Sequence, residues 1–263
     1  MLPSFKKVLQ KLLPHSFCER YYPQWWKFLC LTRWIIQPSF PKLENEALYL
    51  HLGCGLVNHP KFINIDAMRA PHIHYIRNIE DLSLFQDNSV DLIYASHCLE
   101  HFSHLRISQV LAEWYRTLKP GGILRLSVPD FDLLINIYKE NHNDIDTILH
   151  PLMGIQLSKY RFHKTVFTKN SLTSLLHITG FTEVREWVPG LSELTTLNDC
   201  SCRKLSVNGK EYPVSLNLES VKQRGAGVSD YHLNLLIGIL PGYREENTDL
   251  YIISSYCATI FLR

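Results

Sequence analysis

From Leu48 onward the chain sets short β-prone runs between helical stretches, and no other feature of the sequence constrains its fold as much. The runs are Leu48 to Leu52, Phe62 to Ile65, Ile73 to Ile76, Val90 to Ala95 and Ile123 to Val128. Runs of this length and composition read as strands, and their alternation with helical segments predicts an α/β architecture with a mainly parallel sheet flanked by helices. Between the last two runs, Val110, Leu111, Trp114, Tyr115 and Leu118 share one face of a helix from Ile107 to Leu118. Pro120 and Gly121-Gly122 are expected to end it, which makes the unit a β-α-β crossover. Farther on, Thr168 is placed to cap a helix carrying Leu172, Leu175, Leu176 and Ile178, which should stop at Gly180 before a strand near Val184 to Trp187. Strand-like runs recur at Val214 to Leu218 and Leu250 to Phe261, with a turn at Pro241-Gly242.

The chain has 263 residues, 46% of them hydrophobic, enough to bury one large domain with appendages. Residues 1–43 form a distinct segment rich in aromatic and basic side chains and punctuated by Pro3, Pro14, Pro23, Pro38 and Pro41. It reads as a helical N-terminal arm or lid, which could cover a pocket or rest on a membrane surface. Residues 44–228 carry the α/β pattern, and 229–263 read as an extension that completes or caps the sheet. A net charge of +2 gives no bias toward nucleic acid, so no such partner is expected. The seven scattered cysteines do not resemble a disulfide framework and point to a reducing cytoplasm. Cys200 and Cys202 form a lone Cys-x-Cys without a second pair, and no metal is expected. Charged residues and prolines interrupt the N-terminal apolar stretches, leaving neither a signal peptide nor a run of ~20 apolar residues that could span a membrane.

The chemistry begins where the first strand runs into Gly53-Cys54-Gly55. Open α/β folds bind ligands at the carboxyl edge of the sheet, and glycines there let a ligand approach the backbone. The second strand ends in Asp66, whose carboxylate can accept both hydroxyls of a ribose. A nicotinamide site would want a third glycine, where Asn58 stands, and an acid about 20 residues after the loop. The stretch from Gly55 to Phe62 is also too short for a phosphate-binding helix. A sulfonium nucleoside has no phosphate and does not need one. After the third strand, Asn78-Ile79-Glu80-Asp81 offers an apolar wall and polar groups for an adenine, with Asn78 or Asp81 as the acceptor for its amine.

Leu50-His51-Leu52-Gly53-Cys54-Gly55, Asp87-Asn88-Ser89-Val90-Asp91-Leu92-Ile93, His97-Cys98-Leu99-Glu100-His101 and Leu118-Lys119-Pro120-Gly121-Gly122 together resemble the class I methyltransferases, specifically the type-11 group. The order and spacing match throughout Leu48 to Asp130. The resemblance implies a Rossmann-like three-layer sandwich with a roughly seven-stranded sheet and S-adenosyl-L-methionine as cofactor. By it, Gly53, Cys54 and Gly55, with His51 before them, would lie against the methionine part. Asp66 and Ala67 would hold the ribose, Asn78 and Ile79 would flank the adenine, and Ser96 and His97 would sit near the sulfonium. The family usually has an acid where Asn78 stands and a longer helix after the glycine loop. A narrower resemblance, through His163-Lys164, Phe167-Thr168, Gly180-Phe181 and Ser215-Leu216-Asn217-Leu218, is to uncharacterised bacterial methyltransferases associated with surface-polysaccharide and natural-product pathways.

Methyl transfer from a sulfonium is an in-line displacement, so alignment supplies most of the catalysis, and a hydroxyl acceptor gains from a nearby base. His97 and His101, with Glu100 between them, follow the fourth strand, and His163 comes from a later segment expected to close over the pocket with Lys164. These three histidines are the candidates for catalysis, each with a structural alternative such as bonding a backbone carbonyl. Gln156, Tyr160 and Arg161 are candidates for the acceptor side. The expected acceptor is an oxygen of a small molecule, saccharide or peptide. The competing readings are an inactive methyltransferase-like binding module and, more remotely, a nicotinamide-dependent oxidoreductase.

Overall fold

The computed structural model describes residues 30–31, 33, 35–42, 47–156, 161–195 and 198–224. The extension at 229–263, with its expected strand and turn, Tyr160 and most of the 1–43 arm lie outside the described residues.

The sheet has seven strands: β1 (Tyr49–Leu52), β2 (Ile63–Asp66), β3 (Tyr75–Ile76), β4 (Val90–Ser96), β5 (Leu118–Pro129), β6 (Phe181–Glu186) and β9 (Ser215–Lys222). Their order is β3-β2-β1-β4-β5-β9-β6. The first five are parallel, and β9 runs antiparallel between β5 and β6. This is a Rossmann-like topology, a parallel sheet with one antiparallel strand inserted near its edge. Parallel strands need long crossovers and are covered on their faces, which is why β1, β2 and β4 are buried almost throughout instead of alternating.

The crossover between β4 and β5 is α1 (Ile107–Thr117). Its buried face, Ile107, Val110, Leu111 and Trp114, packs with Leu172 and Leu176 of α4 (Lys169–Thr179) against Leu50, Leu52, Ile93 and Leu126 of the sheet. Trp114 is fully buried, and its indole N–H donates to the Ile79 carbonyl at 2.8 Å, so it loses no hydrogen bond by burial. A second cluster, Phe62, Leu92, Tyr94 and Trp187, contains the residues that alternate with Ile93 and Ala95 along β4. Thr168 and Ser171 form a capping box at the start of α4, and Gly180 ends it with a φ of +107°.

Several boundaries differ from the sequence reading. The α1 helix stops at Thr117, and Leu118, fully buried, already pairs with Val90 as the first residue of β5. Leu92 then faces Ile123, so Lys119–Gly122 bulge out of the strand and do not terminate a helix before it. β3 is reduced to Tyr75–Ile76, because the Ile73 N–H is committed to a turn on the Ala70 carbonyl at 3.0 Å. β6 begins at Phe181, directly after the helix-ending glycine. Ahead of β9 stands a hairpin of β7 (Lys204–Val207) and β8 (Lys210–Pro213), turned by Asn208 and Gly209 at φ +52° and +79°. Two positive-φ residues at a two-residue turn match the twist of the flanking strands, which explains the Asn-Gly pair. Leu205, Val207 and Tyr212 of the hairpin pack with α2 (Phe131–Glu140) and α3 (Asp146–Met153) in a separate cluster with Val214.

At the β3 edge, the buried Arg33 donates to the carbonyls of Ile73 and His74, each at 2.6 Å, and Phe40 stacks against His74 and Tyr75. The exposed flank of a short edge strand is thereby covered. At the other side, β9 is fixed by charge. Glu219 is buried, accepts from Nε of Arg125 at 2.6 Å and from the Arg125 Nη2, and receives Arg185 from β6 at 2.7 Å. Arg125 also donates to the Thr195 hydroxyl at 2.7 Å and the Glu193 carbonyl at 2.8 Å. One carboxylate thus ties β5, β9, β6 and the following loop.

Burial opposes the charge on Glu219, but the hydrogen bonds and charges of Arg185 and Arg125 hold its carboxyl below the usual glutamate range. A depressed folded-state pKa contributes stability above the unfolded value and loses it as pH falls through the folded one. Urea denaturation should therefore show a steeper loss of stability below the normal glutamate pKa in the wild type than in Glu219→Gln. Glu219→Ala, which leaves Arg125 buried without its counter-charge, should cost roughly 3–5 kcal/mol at neutral pH.

Candidate active site

β1, β2 and β4 all end at one edge of the sheet, and a cleft of about 1080 Å³ opens there. It is lined by His51, Gly53, Cys54, Gly55, Asp66, Ala67, Asn78, Ile79, Ser96 and His97, and also by His101 and His163. Apart from Asp81, the cofactor and catalytic candidates from the sequence thus border the same space.

The glycine loop is built by backbone requirements. Gly53 has a φ of +61°, and a Cβ on it would lie 2.7 Å from the Cβ of Cys98. Gly55 has a φ of +53°, but its missing Cβ would meet nothing within 4 Å, so bare backbone faces the open cleft. The Gly55 N–H donates to Asp66 Oδ2 at 2.8 Å, the Met68 N–H donates to Asp66 Oδ1 at 2.7 Å, and His72 bonds the Gly55 carbonyl at 3.1 Å. A carbonyl only accepts, so His72 Nε2 carries a proton in that bond, and burial drives the His72 pKa down to about 4, which keeps the ring neutral. Asp66 is locked in orientation, yet each carboxylate oxygen keeps lone-pair capacity for a further donor.

His51 is buried between Phe62 and Tyr94, with ring centroids at 5.9 and 5.1 Å, and burial lowers its pKa to about 3. It borders the cleft as a neutral aromatic wall. Burial also raises the thiols of Cys54 and Cys98, which remain protonated. Asn78 borders the cleft, but its amide is engaged with Glu80, donating to Oε1 at 2.6 Å and accepting from the Glu80 N–H at 3.3 Å. Asp81, the alternative acceptor, pairs with Arg77 at 2.8 Å and does not line the cleft.

At the opposite end of the cleft the histidines converge. His97 directly follows β4 with a φ of +50°, a conformation that non-glycine residues adopt at a cost. Its Nε2 lies 2.8 Å from the Ser215 hydroxyl, which donates to the Cys200 carbonyl at 2.8 Å. Its Nδ1 is 3.3 Å from Oε1 of Glu100, in the 3-10 turn Leu99–His101. Glu100 is fully buried, and its backbone carbonyl accepts from the N–H groups of Lys164 and Thr165 at 2.8 and 3.2 Å. These bonds bring His163 beside His101, with ring centroids 5.0 Å apart. Gly154 permits the approach: a Cβ there would lie 2.3 Å from the Arg161 carbonyl and 2.9 Å from the His163 ring. Burial opposes the charge on Glu100, yet contact with His97 and the neighbouring His101 and His163 holds its carboxyl below the usual range. Burial depresses the His163 pKa, against the pull of Glu100.

Of the acceptor-side candidates, Arg161 lines the cleft, as does Lys164. Gln156 does not: its amide bonds the Met153 carbonyl at 3.3 Å and it stays exposed at the loop turn. The sequence reading passed over Asp199 and Arg203, which also border the cleft, with Asp199 accepting from the Tyr94 hydroxyl at 2.6 Å. No local pattern marks them. They arrive with the loop before the β7-β8 hairpin, whose position depends on the antiparallel insertion of β9.

Residues 50–126 match the family model described as a methyltransferase domain. The matched segment runs from β1 into β5 and contains the glycine loop, Asp66 and the Leu99–His101 turn, so the likeness to a methyltransferase domain covers the part of the chain that builds the cleft. Malonyl-[acyl-carrier protein] O-methyltransferase 1 of Coxiella burnetii is 31% identical over 134 residues, which cover 48% of this chain and 44% of that protein. The chain therefore spans less than half the length of this curated relative. Among solved structures, similar chains include the 1,6-didemethyltoxoflavin-N1-methyltransferase of Burkholderia thailandensis, with a TM-score of 0.43 and 14% identity over 67% of this chain and 71% of that one. Another is a methyltransferase of Archaeoglobus fulgidus, with a TM-score of 0.42 and 17% identity over 82% and 94%. No helix among the described residues is long and apolar enough to cross a membrane.

The two loop glycines should respond differently to substitution. Gly55→Ala meets only the left-handed strain of roughly 1–2 kcal/mol, whereas Gly53→Ala adds a clash against Cys98 and should lose roughly 3 kcal/mol in all. Chemical denaturation of both variants checks this, with equal losses if the Gly53 contact relaxes freely.

Proposed function

We propose that the chain binds S-adenosyl-L-methionine in this cleft and transfers its methyl group to an oxygen, hydroxyl or carboxylate, of a small molecule, saccharide or peptide. The observation that carries the reading is the Asp66 carboxylate, fixed by two backbone N–H groups beside the bare Gly55 backbone and retaining acceptor capacity toward the cleft. Such a group suits the paired hydroxyls of a ribose. Ile79, nearly buried, offers an apolar surface for the adenine, and the open space at Gly55 suits the methionine chain. The donor set therefore fits the cofactor, which when bound supplies an activated methyl on a positively charged sulfur.

The chain's own part is alignment and charge. Ser96 and His97, at the end of β4, border the region between the glycine loop and the histidine cluster, where an acceptor atom would meet the methyl. Arg161, Lys164 and Arg203 line the far side and favour an acceptor carrying negative charge. A carboxylate is nucleophilic as it stands and needs only positioning, whereas a hydroxyl would hand its proton to an imidazole of the cluster. The oxygen preference draws on the name of the Coxiella burnetii relative, an O-methyltransferase. His101 bonds a backbone carbonyl and His97 bonds Ser215, so both are held in position.

Calorimetric titration with S-adenosylhomocysteine, with NADH as the comparison ligand, tests the cofactor. Micromolar binding of the first alone is expected. Losing charge-assisted hydrogen bonds of about 1.5–3 kcal/mol should make Asp66→Ala bind roughly 10- to 100-fold more weakly. Undiminished binding by a folded Asp66→Ala protein, or preference for NADH, would sink the assignment.

A further inference from the structure

The Glu100 carboxylate is fully buried, and neither of its oxygens has a hydrogen-bond partner. A buried carboxylate without donors is costly and rarely left so. What surrounds it is a ring of imidazoles: His97 Nδ1 at 3.3 Å, His163 Nε2 at 3.8 Å, and His101, which with His163 and Glu100 offers ligand atoms all within 4.8 Å of one another.

The tautomers sharpen the problem. His101 Nδ1 lies 3.0 Å from the Phe162 carbonyl, which can only accept, so Nδ1 carries the proton and Nε2 of the neutral ring is a lone pair. His163 turns its Nε2 to the Glu100 carboxylate. Ser215 gives its proton to the Cys200 carbonyl, so its oxygen accepts from His97 Nε2, and in the neutral ring Nδ1 is a lone pair facing the carboxylate. With the rings neutral, acceptors converge here with no donor among them. Histidines that donate one ring N–H to a backbone carbonyl and aim the other nitrogen at a carboxylate-lined point have the usual outer arrangement of metal ligands.

We propose that Glu100, His101 and His163 bind a divalent cation of the Zn²⁺ or Mn²⁺ type at the acceptor end of the cleft, with His97 alongside. Two imidazoles and a carboxylate favour such ions over Ca²⁺ or Mg²⁺, which take mainly oxygen ligands. All three residues border the open cleft, so remaining coordination positions face it and an acceptor oxygen can occupy one. That use rests on the methyl transfer proposed above; the cation binding does not. The spacing of residues along the chain hid this set, because His163 lies far from Glu100-His101 and is brought in by the backbone bonds from Lys164 and Thr165 to the Glu100 carbonyl.

The test is titration of chelator-treated, untagged full-length protein with Co²⁺, read by visible absorption, and with Zn²⁺ and Mn²⁺, read by calorimetry. Stoichiometric binding is expected, with Glu100→Gln and His163→Ala each weaker by at least about 100-fold. A Cys200→Ser/Cys202→Ser double variant should bind as the wild type does. Thermal melting and S-adenosylhomocysteine binding, measured on each variant, separate loss of the cation site from loss of fold or of the cofactor pocket. If Glu100→Gln does not fold, His163→Ala alone decides. Absence of Co²⁺, Zn²⁺ and Mn²⁺ binding, equal binding by folded His163→Ala, or binding lost with the two cysteines would each overturn the proposal.

Discussion

The parallel pairing of β1 with β4 is the constraint on which the rest depends. Leu50 faces Ile93 and Leu52 faces Ala95 on one side of the sheet, while Tyr49 and His51 face Leu92 and Tyr94 on the other, so burial on both faces holds the two strands in one register. Because the strands run the same way, they leave the sheet at the same edge. Gly53 and His97 therefore emerge as neighbours, and Cys98 packs so tightly against Gly53 that no side chain fits there. A slip of register would separate the glycine loop from the histidine segment and remove the cleft between them.

The second half of the cleft depends on a different kind of force. β9 enters the sheet against the parallel direction, and the buried Glu219 with Arg125 and Arg185 specifies its place. That insertion carries Ser215 to His97 and leaves the preceding hairpin and the Asp199–Arg203 loop over the cleft. A buried ion pair is a weak source of net stability but a selective one, since a misplaced strand would leave charges unpaired. The acceptor end is thus assembled by polar contacts of long range, while the cofactor end is assembled by local turns at strand ends.

Legibility followed the same division. Gly53, Gly55 and Asp66 could be read because each is required by a local conformation or by its position at a strand end. Thr168 and Gly180 were readable as helix limits for the same reason. Pro120 and Gly121-Gly122 misled, because buried Leu118 pairs with Val90 and the proline and glycines become a bulge within the strand. Asn208-Gly209 is a strong hairpin signal whose place in the molecule the sequence does not state. Asp199 and Arg203 carry no local signal at all.

The sequence by itself determined the alternation of strands and helices, the glycine loop and the residues available for a nucleoside, because these follow from periodicity and short-range backbone chemistry. Only the tertiary structure decided that Glu100 has no donor, that His101 and His163 stand beside it, and that Gln156 turns away. Those facts depend on which chain segments meet after folding, and burial sets their energetic weight by stripping water from groups that would be satisfied in solution.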